Sequence, residues 1–156
     1  MKLTVSIFFF LITAINYSQE KIEQLYGEWQ VITADDGNLL VSSLSNEVII
    51  SDAFKSNYEN GTDLNPVIDL AKELYLNVRY IFKKDGVFNF IIATGDVEVG
   101  TYNIDLSNKQ LTLTLKNSLN QNTTEVIDYE FGGDLLKLKL NFNDQSIKFV
   151  LMKLEK

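Results

Sequence analysis

Residues 127–140, Ile127-Asp128-Tyr129-Glu130-Phe131-Gly132-Gly133-Asp134-Leu135-Leu136-Lys137-Leu138-Lys139-Leu140, form two alternating runs hinged on a turn. Ile127, Tyr129 and Phe131 fall on one side of the first run, and Leu136, Leu138 and Leu140 on one side of the second, with Lys137 and Lys139 between them. Successive side chains of an extended strand point to opposite faces, so this two-residue period predicts half-buried strands. The Gly-Gly-Asp step between them predicts a hairpin.

The same rhythm extends in both directions. Toward the C-terminus, Asn143-Asp144-Gln145 turns the chain into Ile147, Phe149 and Leu151. Toward the N-terminus, Leu111, Leu113 and Leu115 alternate with Thr112 and Thr114, and a polar connection, Asn117 to Asn122, follows them. Before that, Val97 to Leu106 carries an apolar set that shifts phase at Gly100, from Val97 and Val99 to Tyr102, Ile104 and Leu106, which predicts a β-bulge there. Val78, Tyr80 and Phe82 are answered by Phe88, Phe90 and Ile92 across Asp85-Gly86, a strong hairpin signal. These are seven strands from Leu76 onward, and an eighth around Glu28 to Thr33 precedes them.

Eight sequential antiparallel strands with no crossover helices predict an all-β fold, an eight-stranded up-and-down barrel, because closure removes the edges that invite aggregation. Between the first and second strands, an insertion from about Asn38 to Tyr75 does not alternate. Asp63 to Tyr75 reads as a helix, with Pro66 in its first turn and a stripe of Val67, Ile68, Leu70, Ala71 and Leu74. Ser42 to Phe54 is expected to be a second, weaker helix.

The chain opens with Met1-Lys2 and the apolar run Leu3 to Ile15, which predicts a secretory signal cleaved after Ser18. That run is shorter than the roughly 20 apolar residues a bilayer span needs. Residues 19–156 are then expected to be one exported domain, periplasmic or extracellular, with no transmembrane segment. The sequence has no cysteine, so disulfides and thiol-linked lipid anchors are excluded. Only Lys2 of the 14 Lys and Arg precedes the cleavage point, which makes the mature charge −8 against −7 for the whole chain. Such an acidic chain is a poor partner for nucleic acid or anionic lipid.

Gly27-Glu28-Trp29, at the start of the first strand, resembles the Gly-x-Trp signature of the lipocalins. Asp128-Tyr129 is similar to their second motif, and Lys153 stands where the family places an arginine over the tryptophan. The chain looks most like the small bacterial lipocalin-like domains with calycin-type barrels. The resemblance implies that Gly27, Trp29 and Asp128 are structural, with Trp29 plugging one end of the barrel.

With no histidine and no cysteine, the common general base, the thiolate nucleophile and the nitrogen and sulfur metal ligands are missing. No enzyme activity, metal or cofactor is therefore expected, and Asp35, Asp36 and Asn38 read as a solvated turn rather than a calcium loop. Arg79, the only arginine, alternates with Val78 and Tyr80 and is expected on the outer face.

Tyr80, Phe82, Phe88, Phe90, Tyr102, Tyr129, Phe131 and Phe149 are the candidate ligand-binding residues, because aromatics on the inward faces can line an apolar pocket. The expected function is that of a secreted binding protein for a small hydrophobic or amphipathic molecule. The alternative is a filled barrel that acts as a structural or protein-interaction module, anchored on outward residues such as Ile81, Val126 and Val150.

Overall fold

The computed structural model describes residues 22–116, 121–142 and 145–154. The expected signal segment and the connections at 117–120 and 143–144 lie outside these residues. Ten strands are described: β1 (Gly27–Asp35), β2 (Leu39–Ser42), β3 (Glu47–Ile50), β4 (Arg79–Phe82), β5 (Val87–Ile91), β6 (Val97–Asp105), β7 (Gln110–Lys116), β8 (Asn122–Gly132), β9 (Leu135–Phe142) and β10 (Gln145–Lys153). Two helices, α1 (Asp52–Lys55) and α2 (Asn65–Leu76), separate β3 from β4.

From β4 to β10 each strand pairs antiparallel with the next, and β10 returns to pair with β1, so eight strands close a barrel. The seam depends on β1. Its first half pairs with β4, from Gly27 opposite Phe82 to Gln30 opposite Arg79. Its second half pairs with β2, from Thr33 opposite Ser42 to Asp35 opposite Leu40. Between the two halves the β1–β10 register slips, between Val31 and Thr33, and Ile32 is the additional residue. A bulge of this kind bends a strand and increases its twist, which here redirects β1 from one neighbour to another.

The inward faces match the alternation in the sequence. Trp29, Val31, Phe82, Phe88, Leu111, Ile127, Leu136, Leu138 and Leu151 are almost wholly buried in one core. At roughly 25 cal/mol per Å² of buried apolar surface, side chains of this size supply about 1.5–3 kcal/mol each, which lets a chain without disulfides hold its fold.

Two expectations are corrected. The bulge lies at Ile32, not at Gly100, where the β5–β6 register runs unbroken from Val87–Thr101 to Ile91–Val97. Val97 and Val99 face outward and are more than half exposed. The inward residues are those in phase with Tyr102, and Gly100 is one of them. Its place is fixed by close approach: a Cβ there would collide with the Thr114 carbonyl oxygen and come within 2.6 Å of Phe88 Cε1.

The second correction concerns Ser42 to Phe54, which is mostly hairpin rather than helix. Val48, Ile49 and Ile50 are β-branched and suit a pleated strand, and β3 pairs with β2 from Ser42–Glu47 to Leu39–Ile50. Asn46 takes the left-handed backbone (φ 54°) that the tight connection needs. Only α1 is helical there, capped by Ser51 Oγ, which accepts from the Phe54 N–H at 3.2 Å.

The expected helix at 63–75 is present as α2, with Pro66 in its first turn. Leu39, Val41, Ile50 and Ala71 form a second, smaller core, against which Val67, Ile68 and Tyr75 pack. Leu70 and Leu74 of the expected stripe are instead half exposed.

Gly100→Ala is expected to destabilise the fold by about 2 kcal/mol, because the colliding partner is backbone and cannot rotate away. Urea unfolding of the variant checks this; a midpoint equal to that of the parent would show that the β6–β7 contact yields.

Candidate functional site

One end of the barrel is plugged. Residues 22–25 are helical, and the carbonyl of Leu25 accepts from Trp29 Nε1 at 2.8 Å, which satisfies the indole inside the core. Phe131 packs tilted against Trp29 at 6.3 Å and Tyr129 meets Phe131 edge-on at 5.4 Å. The ammonium of Lys153 sits 5.2 Å from the Trp29 ring centre and donates to the Gln24 carbonyl at 2.9 Å. Gly27 (φ 125°) lies beneath the lysine stem, where a Cβ would stand 3.0 Å from Lys153 Cε. Lys153 thus covers the tryptophan, a cation–π contact typically worth about 0.5–1 kcal/mol when exposed.

The other end is hollow. A cavity of about 300 Å³ lies inside the barrel at the end where β4, β8 and β10 begin and β5, β7 and β9 finish. Its walls are Val78, just before β4, and Tyr80 of β4, Phe88 and Phe90 from β5, and Leu113 and Leu115 from β7. Thr123, Glu125 and Ile127 of β8, Leu140 of β9, and Ile147 and Phe149 of β10 complete them. Leu74 and Tyr75, from the last turn of α2, close over the top.

The helix is held there by a specific bond. Asp36 Oδ2, in the turn after β1, accepts from the Tyr75 hydroxyl at 2.9 Å, and the Tyr75 ring packs on Phe149 at 6.2 Å. Burial, followed by the hydrogen bond to Asp36 and its charge, pushes the Tyr75 phenol up to about 12, so it stays a donor throughout the ordinary pH range. The remaining carboxylate oxygens of that turn are occupied too: Asp35 accepts from Gly37 N–H, and Asp36 Oδ1 from Asn38 N–H and Leu39 N–H. The turn is built from its own backbone bonds.

Of the eight candidate aromatics, Tyr80, Phe88, Phe90 and Phe149 line the cavity. The other four lie elsewhere. Phe82 packs between Tyr80, Phe88 and Tyr102 in the middle of the barrel, and the Tyr102 hydroxyl donates outward to the Lys83 carbonyl at 2.6 Å. Tyr129 and Phe131 belong to the plug. Asp128 faces away from the interior, accepting from Gln110 Nε2 at 3.1 Å. Arg79 is half exposed and paired with Glu28 across 2.7 Å. Val126 is exposed, whereas Ile81 and Val150 are partly covered.

Sequence reasoning missed the polar residue of the cavity. Glu125 has the same phase as Ile127 and Tyr129, so two steps back along the alternation would have placed it inward. Burial raises its carboxyl above the ordinary carboxylate value, and its charge adds to the burial that raises the enclosed Tyr80 phenol. No hydrogen-bond or ion-pair partner of Glu125 occurs among the described residues. Nor does any group of three carboxylates there come together to hold a metal.

No family model matches the sequence, and no curated protein aligns with it. Among solved structures the chain is similar to a DUF4847 family protein from Bacteroides vulgatus, with 16% identity and a TM-score of 0.53. The match covers 86% of this chain and 99% of that one. The likeness is one of fold. It extends along nearly the whole of the other protein.

Two substitutions test the site. Tyr75→Phe removes the bond to Asp36 and keeps the ring, and is expected to cost about 1 kcal/mol and about 3 °C in Tm by calorimetry. Glu125→Gln acts in the opposite sense. A carboxyl raised by burial favours the fold while protonated and loses that contribution as pH rises through its raised value. The variant should therefore melt higher than the parent at pH 7, with the difference vanishing below the ordinary carboxylate range, at about pH 3.

Proposed function

We propose that the chain is an exported, lipocalin-like binding protein whose barrel takes up a small, largely apolar molecule. The observation that carries this reading is the cavity of about 300 Å³, walled by aliphatic and aromatic side chains, plugged below by Trp29 and topped by α2. That volume is at the lower end of the roughly 300–1,000 Å³ that small-molecule sites occupy. Lys153 over Trp29, with Gly27 making room for it, supports the lipocalin resemblance, since a cation from the last strand covers the tryptophan of the first. The apolar run Leu3 to Ile15 supports export.

The action proposed is binding rather than catalysis. Among the described residues the cavity wall offers one carboxyl group, and neither imidazole nor thiol exists anywhere in the sequence to work with it. No helix among the described residues is long and apolar enough to cross a membrane.

Native mass spectrometry of the protein purified from its own host, followed by organic extraction, tests the reading. A co-purifying small molecule released by extraction is the expected result, and a mature mass lacking residues 1–18 would bear on export. A clean apo mass, together with no binding of apolar dyes, would favour a barrel that acts through its outer surface.

A further inference from the structure

We infer that Glu125 selects the ligand: the cavity takes an apolar molecule whose head is an amine or another strong hydrogen-bond donor, and it rejects one ending in a carboxylate. The inference rests on the binding reading above and specifies its ligand class.

The argument starts from the wall. Fourteen of the described residues line the cavity, and Glu125 is the one among them with a carboxyl group. The remaining polar atoms are hydroxyls: Thr123 at the rim, Tyr75 committed to Asp36, and Tyr80 inside the core. A carboxylate drawn from water into such a wall loses solvation, and it persists without cost only where a donor or cation replaces the water. Among the described residues none does so. Lysine and arginine are absent from the described cavity lining, and Arg79 is held by Glu28 through an outward pair.

The surroundings act in the same direction. Glu98 is the register partner of Phe90, so it shares the cavity side of the sheet, where it is exposed. The whole chain carries a net charge of −7. A carboxylate ligand would therefore enter against a negative potential and end beside an unpaired negative charge. An ammonium would be drawn in, and its N–H groups would bond the Glu125 oxygens that no described residue engages while its chain covers Leu113, Ile127 and Phe149. A hydroxyl head would donate one such bond without the charge.

Octylamine, 1-octanol and octanoate, which share one tail and differ in the head, make the test. Their affinities are measured by titration calorimetry at pH 7 against the full mature protein and its Glu125→Gln variant. The parent is expected to bind octylamine about tenfold or more tighter than octanoate, with octanol between them. In Glu125→Gln the three should converge to within about threefold, through weaker amine binding and stronger octanoate binding. Octanoate binding as well as octylamine, or an order of affinities unchanged in the variant, would overturn the inference while leaving the binding reading intact. Failure of all three to bind the parent would overturn both.

Discussion

One strand with two partners on the same edge holds this molecule together. β1 cannot pair with β4 along its whole length, because β4 is short and its predecessor, α2, occupies the space beyond. The bulge at Ile32 resolves the conflict by bending β1 onto β2, while the far edge of β1 stays bonded to β10 on both sides of the slip. The Ile32 carbonyl is not wasted at the irregularity: it accepts from both the backbone N–H and the hydroxyl of Ser43. Without that bend the ring would still close at the plugged end, but the β2–β3 hairpin would have no edge to pair with, and α2 would lose the apolar surface on which it lies.

The two cores follow from this division. The large one fills the plugged half of the barrel and continues into the walls of the hollow half, and the small one is the seam between hairpin and helix. Tyr75 packs on both. The cavity exists because the aromatic filling runs out toward the other end, where the inward positions of β7 to β10 carry Leu115, Thr123, Glu125 and Ile147 instead of large rings. An apolar hollow is less stable than a filled core, and a partly desolvated carboxyl lowers stability further. Both losses fall in the same place, at the cavity on which the proposed binding function rests.

Most of the barrel was legible in the sequence because a period of two is unambiguous when polar and apolar residues alternate strictly, as in Leu111 to Leu115 or Leu136 to Leu140. Legibility failed where that contrast failed. Leu39-Leu40-Val41 and Val48-Ile49-Ile50 are continuous apolar runs, and such short runs do not distinguish strand from helix by period. Val97 and Val99 misled because they are apolar and outward, while their inward neighbour Gly100 has no side chain to announce its face. Glu125 was hidden for the opposite reason: a charged residue on an inward phase reads as outward unless the phase is trusted over the chemistry. Half of the candidate aromatics proved to be filling, since a barrel interior has a plugged half and a hollow half that alternation alone does not tell apart.

The plug also fixes the polarity of the whole molecule. The Gln24 carbonyl is held by Lys153, and the Leu154 N–H donates to the Glu28 carbonyl at 2.9 Å, so the first and last described residues leave the barrel side by side at the Trp29 end. The cavity mouth, with α2 above it, occupies the opposite pole. The described part of the chain therefore enters and leaves at the base, at the pole away from the entrance. The protein is built like a cup standing on its base, with the end of α2 lying across its mouth.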